Sequence, residues 1–283
     1  MATTSQISRF MREQLSQLYP EQEVQAIIYI VLQDVLNYSP VDTVLRADFE
    51  QDDVFVDRIK AITARLLQHE PLQYILGRAR FHGHDFMVTP ATLIPRPETE
   101  RLVDIIVDRH GNTPDLKVLD MGTGSGCIAI SLARALKFAQ VDATDISAEA
   151  LAVARQNATA LKARVQFMQD DILNPDPQLR NYDIIVSNPP YICLSERAAM
   201  EPNVLRYEPA SALFVPDDDP LRYYRAIVFF ALNALVPHGW LYLEINRRFS
   251  QPMKQLLEQN GFCNASVVND QYGNPRFAIA QHP

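Results

Sequence analysis

Apolar residues recur at three- and four-residue steps from Ser5 to about Glu70, and this rhythm predicts helices throughout. Ile7, Phe10, Met11, Leu15 and Leu18 fall on one face. Pro20 suits the first turn of a second helix, whose broad apolar face carries Val24, Ile27, Ile28, Ile30, Val31 and Val35. The stretch Asn37 to Pro40 breaks it, and Val54, Val56, Ile59, Ile62, Leu66 and Leu67 predict a further helix. Residues 1–72 therefore read as a small helical bundle. It has no glycine-rich loop and no cluster of catalytic residue types. Docking a partner, covering a site and stabilising the chain remain open as its role.

The rhythm changes over residues 73–92. Gln73 to Gly77 and Phe81 to Val88 mix aromatic and β-branched residues around glycines, which predicts a hairpin or extended linker turning near Gly83. His82 and His84 alternate as zinc ligands could, but no Cys or acidic residue stands at ligand spacing, so they read as hairpin side chains. Leu93-Ile94-Pro95-Arg96-Pro97-Glu98-Thr99-Glu100 then launches a helix. Pro97 sits in its first turn, two carboxylates stand near the positive end of its dipole, and Arg96 is held stiffly between prolines.

From Lys117 strand and helix patterns alternate. Strands are expected at Lys117–Asp120, Val141–Thr144, Val165–Met168, Ile184–Ser187 and Trp240–Ile245. Helices are expected from Cys127 to Lys137, from Ser147 to about Ala158, from Pro220 to Val236 with Asp219 as N-cap, and from Ser250 to Asn260. Ala265–Val268 and Phe277–Ala280 can close the chain as an antiparallel hairpin. Residues 93–283 thus predict an α/β domain built on a mostly parallel, doubly wound sheet.

Composition narrows the classes. The chain has 283 residues, 47% hydrophobic and 21% charged, as soluble globular proteins do. A net charge of −8 argues against a broad phosphate-binding surface, so no stable nucleic-acid binding is expected. Cys127, Cys193 and Cys263 are scattered and odd in number, which fits a reducing compartment with neither disulfide nor zinc. The N-terminus lacks a basic-then-apolar pattern and no apolar run reaches membrane-spanning length, so a cytoplasmic location is expected.

Two stretches carry candidate chemistry. Asp120-Met121-Gly122-Thr123-Gly124-Ser125-Gly126 follows the first strand and opens a helix, where glycines let backbone N–H groups approach a ligand. A dinucleotide fingerprint wants its third glycine where Cys127 stands, and a phosphate loop wants Gly-Lys-Ser/Thr. What remains resembles the loop of S-adenosylmethionine methyltransferases. Asp145 ends the second strand, where its carboxylate can accept both ribose hydroxyls. Asp170 and Asp171 end the third, where an acidic side chain can accept from an adenine amino group, Asp171 being the first choice. The other stretch is Ser187-Asn188-Pro189-Pro190-Tyr191-Ile192, where a buried strand stops abruptly because proline removes donors and fixes φ. An amide, free carbonyls and an aromatic face at such a strand end suit a flat polar group, either a carboxamide or a base edge.

Together with the glycine loop, this corner resembles the HemK/PrmC family of protein-(glutamine-N5) methyltransferases. The likeness extends over nearly the whole chain. It includes Tyr74 to Gly77, Phe81, Gly83, Phe86, Val88, Leu93 to Glu100, Asp145, Tyr207-Glu208-Pro209, Leu241 to Ile245, and the Asp270, Gly273, Arg276 pattern. The resemblance implies a class I methyltransferase domain behind an N-terminal helical bundle that helps dock the substrate. That substrate would be the glutamine of the Gly-Gly-Gln motif in class I peptide-chain release factors, methylated from S-adenosylmethionine without a metal. It implies that Gly122, Thr123, Gly124, Ser125, Gly126, Asp145 and Asp171 hold the cofactor, with Asn188 bordering it. Asn188, Pro189, Pro190 and Tyr191 would take the amide. Two departures from the family pattern are Val215-Pro216, in place of glycines, and Asn246, in place of glycine after Glu244-Ile245; neither falls on the inferred contacts. The alternative is an adenine-N6 or cytosine-N4 nucleic-acid methyltransferase, which grips an exocyclic amino group with a similar corner.

Overall fold

The computed structural model describes residues 1–283, and the chain forms two units. The first holds Met1–Gly77 together with Glu201–Tyr207; the second holds Arg78–Met200 and Glu208–Pro283.

In the first unit, helices Thr4–Leu15, Glu21–Leu36 and Asp53–Leu66 bury Ile7, Met11, Leu15, Val24, Val31, Ile59 and Leu66 against one another. Their starts are written locally. Thr3 and Gln6 form a capping box, and Asp52 accepts the Val54 N–H. Leu18 lies beyond the end of its helix and is exposed, as are Ile30 and Val54, so the buried stripe is narrower than the apolar pattern. Leu72–Leu76 is a short helix rather than extended chain. Pro71 precedes its first turn and Gly77 ends it at φ +72°, and these punctuation residues outweigh the β-branched and aromatic composition between them. The later helix Pro202–Tyr207 belongs to this unit, where the Tyr207 hydroxyl donates to the Gln68 carbonyl at 2.9 Å.

The second unit opens with the hairpin Arg78–Phe81 and His84–Met87, turned by His82 and Gly83 at positive φ. His82 bonds Asp104 at 3.1 Å, and Arg134 Nε lies 3.3 Å from His84. A seven-stranded sheet follows. We number its strands β1 (Lys117–Met121), β2 (Gln140–Asp145), β3 (Val165–Gln169), β4 (Tyr182–Ser187), β5 (Leu235–Glu244), β6 (Cys263–Asn269) and β7 (Pro275–Gln281). Their order is β6-β7-β5-β4-β1-β2-β3, with β7 antiparallel to both neighbours and the rest parallel. Helices cover both faces, so the inner strands read as continuous apolar runs. On β1, Val118 packs with helices Pro97–His110 and Cys127–Ala135, and Leu119 packs with Arg222–Ala234 and Ser250–Gln259.

Two boundaries differ from expectation. The helix expected from Pro220 begins at Arg222, and Asp219 does not cap it. Both Asp219 carboxylate oxygens instead accept from Arg225 Nη2, at 2.5 and 2.6 Å, a charge-assisted pairing that competes with the cap. Strand β5 starts five residues before Trp240, at Leu235, with a shift of register between the two.

Candidate active site

The chain turns back on the sheet beside β1: β2 and β3 lie on one side of it, β4 and β5 on the other. Ligands of open α/β sheets bind outside the carboxyl ends of strands at such a reversal. Register brings the relevant ends level. Ser187, the last residue of β4, pairs with Met121 of β1 and with Leu243 of β5. The next residue on each strand is therefore Asn188, Gly122 or Glu244, three neighbours at one end of the sheet. The Ser187 hydroxyl donates to the Met121 carbonyl at 2.6 Å and ties two of these ends together.

A cavity of about 360 Å³ opens here, within the range of small-molecule sites. Gly122, Thr123, Gly124, Ser125, Asp145, Asp171, Asn188 and Pro190 all line it. Gly124 has φ +56°, and a Cβ built on it would meet no atom within 4 Å, so the space beside its Cα is left free for a ligand. The Ser125 hydroxyl is buried with no nitrogen or oxygen partner, and only the Cys127 thiol stands near it as one. Asp145 Oδ2 accepts the Gly124 N–H at 2.8 Å and Oδ1 accepts the Ser147 N–H at 2.9 Å. Burial pushes its carboxyl above the ordinary value, against these two donors. Asp171 Oδ1 accepts the Leu173 N–H, while Asp170 is taken up by the Asp176 N–H and does not line the cavity.

Behind the loop, Asp120 is fully buried. Its Oδ2 takes both the Thr123 hydroxyl at 2.6 Å and the Ala129 N–H at 3.2 Å, and Oδ1 has no partner. Burial pushes its carboxyl up to about 7. The Cys127 thiol, also on the cavity wall, is raised to about 12 by burial and then by Asp120, so near neutrality it stays protonated and is no nucleophile.

The Asn188–Tyr191 corner is held from behind by residues far away in the chain. Asn188 Nδ2 donates to Thr99 Oγ1 at 3.4 Å, and the Thr99 hydroxyl donates to Glu244 Oε2 at 2.7 Å. The Tyr191 hydroxyl donates to Glu244 Oε1 at 3.1 Å. Glu244 is 1% exposed, and burial raises its carboxyl above the usual range despite the Thr99 hydrogen bond and the charge of Arg276. Arg276 Nε is in turn 3.3 Å from Asp270 Oδ2. In front, Glu208 fixes the segment before Thr99: it accepts from Arg96 Nη2 at 2.5 Å and from the Ile94 N–H at 3.1 Å.

Pro189, Tyr191 and Gly126 do not line the cavity. The Tyr191 ring packs against the core cluster of Tyr224 and Ile245 rather than lying over the space in front of Asn188. Gly126, at φ +82°, caps the helix that follows, and a Cβ there would lie 2.9 Å from Ile130 and 3.2 Å from Ala154. Asn246 is closer to the chemistry than expected: its Nδ2 donates to the Tyr191 carbonyl at 3.1 Å and to Glu196 at 2.9 Å. Val215 also bears on the corner, pairing with Cys193 in a short parallel ladder just after Tyr191. Sequence reasoning named Thr99 and Glu244 only as parts of longer matching segments. A carboxylate ending a buried strand was the available signal for Glu244.

The sheet order, the glycine loop and the acidic strand end around one cavity define the class I S-adenosylmethionine-dependent methyltransferase fold. A methyltransferase of Pyrococcus furiosus shares it, with TM-score 0.53 and 17% identity over 78% of this chain and 98% of that one. Residues 99–204 match the family model of the Methyltransferase small domain, and residues 6–77 that of the PrmC N-terminal domain. A release factor glutamine methyltransferase of Bacteroides thetaiotaomicron is 45% identical over 278 residues, which is 98% of this chain and 99% of that protein. A protein of the same name from Flavobacterium psychrophilum is 42% identical over 93% of each. The chain belongs to the release factor glutamine methyltransferase family. None of its helices is long and apolar enough to cross a membrane.

Proposed function

We propose that this protein transfers a methyl group from S-adenosylmethionine to the side-chain amide nitrogen (N5) of the glutamine in the Gly-Gly-Gln motif of class I release factors. The observation that carries this reading is the place of Asn188: a primary amide on the cavity wall beside the glycine loop, in a chain so similar to enzymes named for that reaction. When bound, S-adenosylmethionine would supply an electrophilic methyl group on its sulfonium, the S–CH3 bond breaking so that S-adenosyl-L-homocysteine is left. Gly122, Thr123, Gly124, Ser125, Asp145 and Asp171 would hold it, with Gly126 shaping the loop. The free space at Gly124 and the Ser125 hydroxyl, which has no nitrogen or oxygen partner, fit that role.

An amide nitrogen is a poor nucleophile, because its lone pair is delocalised into the carbonyl. Asn188 Oδ1 on the cavity wall accepts from the substrate NH2, with the Pro189 carbonyl, next along the corner but outside the cavity lining, as the second acceptor; together they orient the nitrogen and favour the positive charge that grows on it during attack. Pro190 lines the cavity and Tyr191 braces the corner through Glu244. Holding the nitrogen in line with the methyl does most of the work. No strong base is needed beforehand, since the departing proton becomes acidic only as the C–N bond forms. We assign residues 1–72 to docking the release factor, residues 73–92 to a linker and residues 93–283 to the chemistry.

Incubation with labelled S-adenosylmethionine and either a release factor or duplex DNA tests this. A mass gain of one methyl on the Gly-Gly-Gln glutamine is expected; methylated adenine or cytosine instead would overturn it. Asn188→Ala is expected to abolish transfer and leave cofactor affinity nearly intact by calorimetry.

A further inference from the structure

A primary amide can present either its oxygen or its NH2, and only the oxygen can accept from a substrate amide. Something must therefore fix the orientation of Asn188. The Asn188 Nδ2 lies 3.4 Å from Thr99 Oγ1, and that hydroxyl lies 2.7 Å from Glu244 Oε2. Glu244 Oε2 accepts from the Thr99 hydroxyl, so the Thr99 proton points at Glu244. The hydroxyl then has lone pairs alone to offer Asn188, whose NH2 must face it. Tyr191 donates to the other oxygen of the same carboxylate at 3.1 Å, so both ends of the corner refer to one buried group.

We propose that Glu244, acting through Thr99, is a positioning residue that turns the Asn188 oxygen toward the substrate; this rests on the amide-methylating reading above. Both residues are almost completely buried, Thr99 at 2% and Glu244 at 1% exposure. Buried carboxylates are costly unless bonded, and this one bonds Tyr191 at one end of the corner and Thr99, the partner of Asn188, at the other. The long first link, at 3.4 Å, is of the kind that shortens when substrate is bound.

The test compares Thr99→Val, which keeps the shape and removes the hydroxyl, with Thr99→Ser, which keeps the hydroxyl. Hydrogen exchange of the Asn188 side-chain NH2, its NMR signal assigned by its loss in Asn188→Ala, reads the link without turnover. Exchange is expected to quicken about tenfold or more in Thr99→Val and to stay slow in Thr99→Ser. In the release-factor assay, Thr99→Val should lower kcat on the order of 10- to 100-fold with KM and cofactor affinity little changed, and Thr99→Ser should restore most of it. Unchanged exchange in Thr99→Val, or a Thr99→Ser protein as impaired as Thr99→Val, overturns the positioning role. A wild-type protein that protects the Asn188 amide yet leaves the release factor unmethylated overturns the substrate reading alone.

Discussion

The Gly124 backbone N–H donates to Asp145 Oδ2 at 2.8 Å, so the glycine loop after β1 and the end of β2 are held as one piece. The same carboxylate keeps lone pairs on both oxygens for ligand hydroxyls. Asp145→Ala removes both functions at once. Its affinity for S-adenosylmethionine is expected to fall on the order of 100-fold, as for the loss of charge-assisted hydrogen bonds. Calorimetry showing wild-type affinity would take Asp145 out of the cofactor site.

Two glycines of the loop should respond differently to alanine. At Gly126 a methyl would meet Ile130 at 2.9 Å and Ala154 at 3.2 Å, on a backbone already at φ +82°. Gly126→Ala is expected to cost about 2–3 kcal/mol of stability in denaturant unfolding. At Gly124 the methyl would meet nothing within 4 Å, so Gly124→Ala should cost only about 1 kcal/mol. Its methyl would stand where the ligand belongs, and lost cofactor affinity with nearly normal unfolding is the expected signature.

Asn246→Gly restores the residue usual in the family and removes the donors to the Tyr191 carbonyl and to Glu196. Asn246 is 6% exposed, so the Tyr191 carbonyl behind it loses a buried donor, while Glu196 keeps the Cys193 N–H and Arg248. A loss of about 2 kcal/mol is expected in thermal or denaturant unfolding. A variant as stable as the wild type would mean that the corner is braced elsewhere.

Asp120 makes a pH prediction. Its carboxyl is raised in the fold to about 7, against about 3.9 in an unfolded chain. A raised acid favours the protonated folded state, so its contribution to stability is full below about pH 4 and is lost as pH rises to about 7. Asp120→Asn can keep the bonds from Thr123 and Ala129 on its oxygen and places an uncharged NH2 at the unpartnered position. The stability of Asp120→Asn relative to wild type should therefore grow by on the order of 4 kcal/mol between about pH 4 and about pH 7 and level off above. Unfolding curves across that range would show it; a constant difference would mean that Asp120 titrates normally.

By itself the sequence determined whatever depends on near neighbours. Alternating strand and helix patterns gave the doubly wound sheet with its closing hairpin, because periodicity of two or of 3.6 is written locally. Asp120 to Gly126 and Asn188 to Tyr191 were legible for the same reason: glycine and proline act on the backbone where they stand, and both stretches fall at strand ends. Only the tertiary structure decided what surrounds them. Thr99 opens a helix 89 residues before Asn188, and Glu244 ends a strand 53 residues after Tyr191; no spacing rule joins such positions. Strand register set Glu244 level with Asn188, and helix packing brought Thr99 between them. Tertiary packing also turned the Tyr191 ring toward the core and drew Glu201–Tyr207 into the helical unit. A side chain's orientation follows from the atoms that fill the space and the donors that meet its acceptors, and the folded chain supplies both from distant segments.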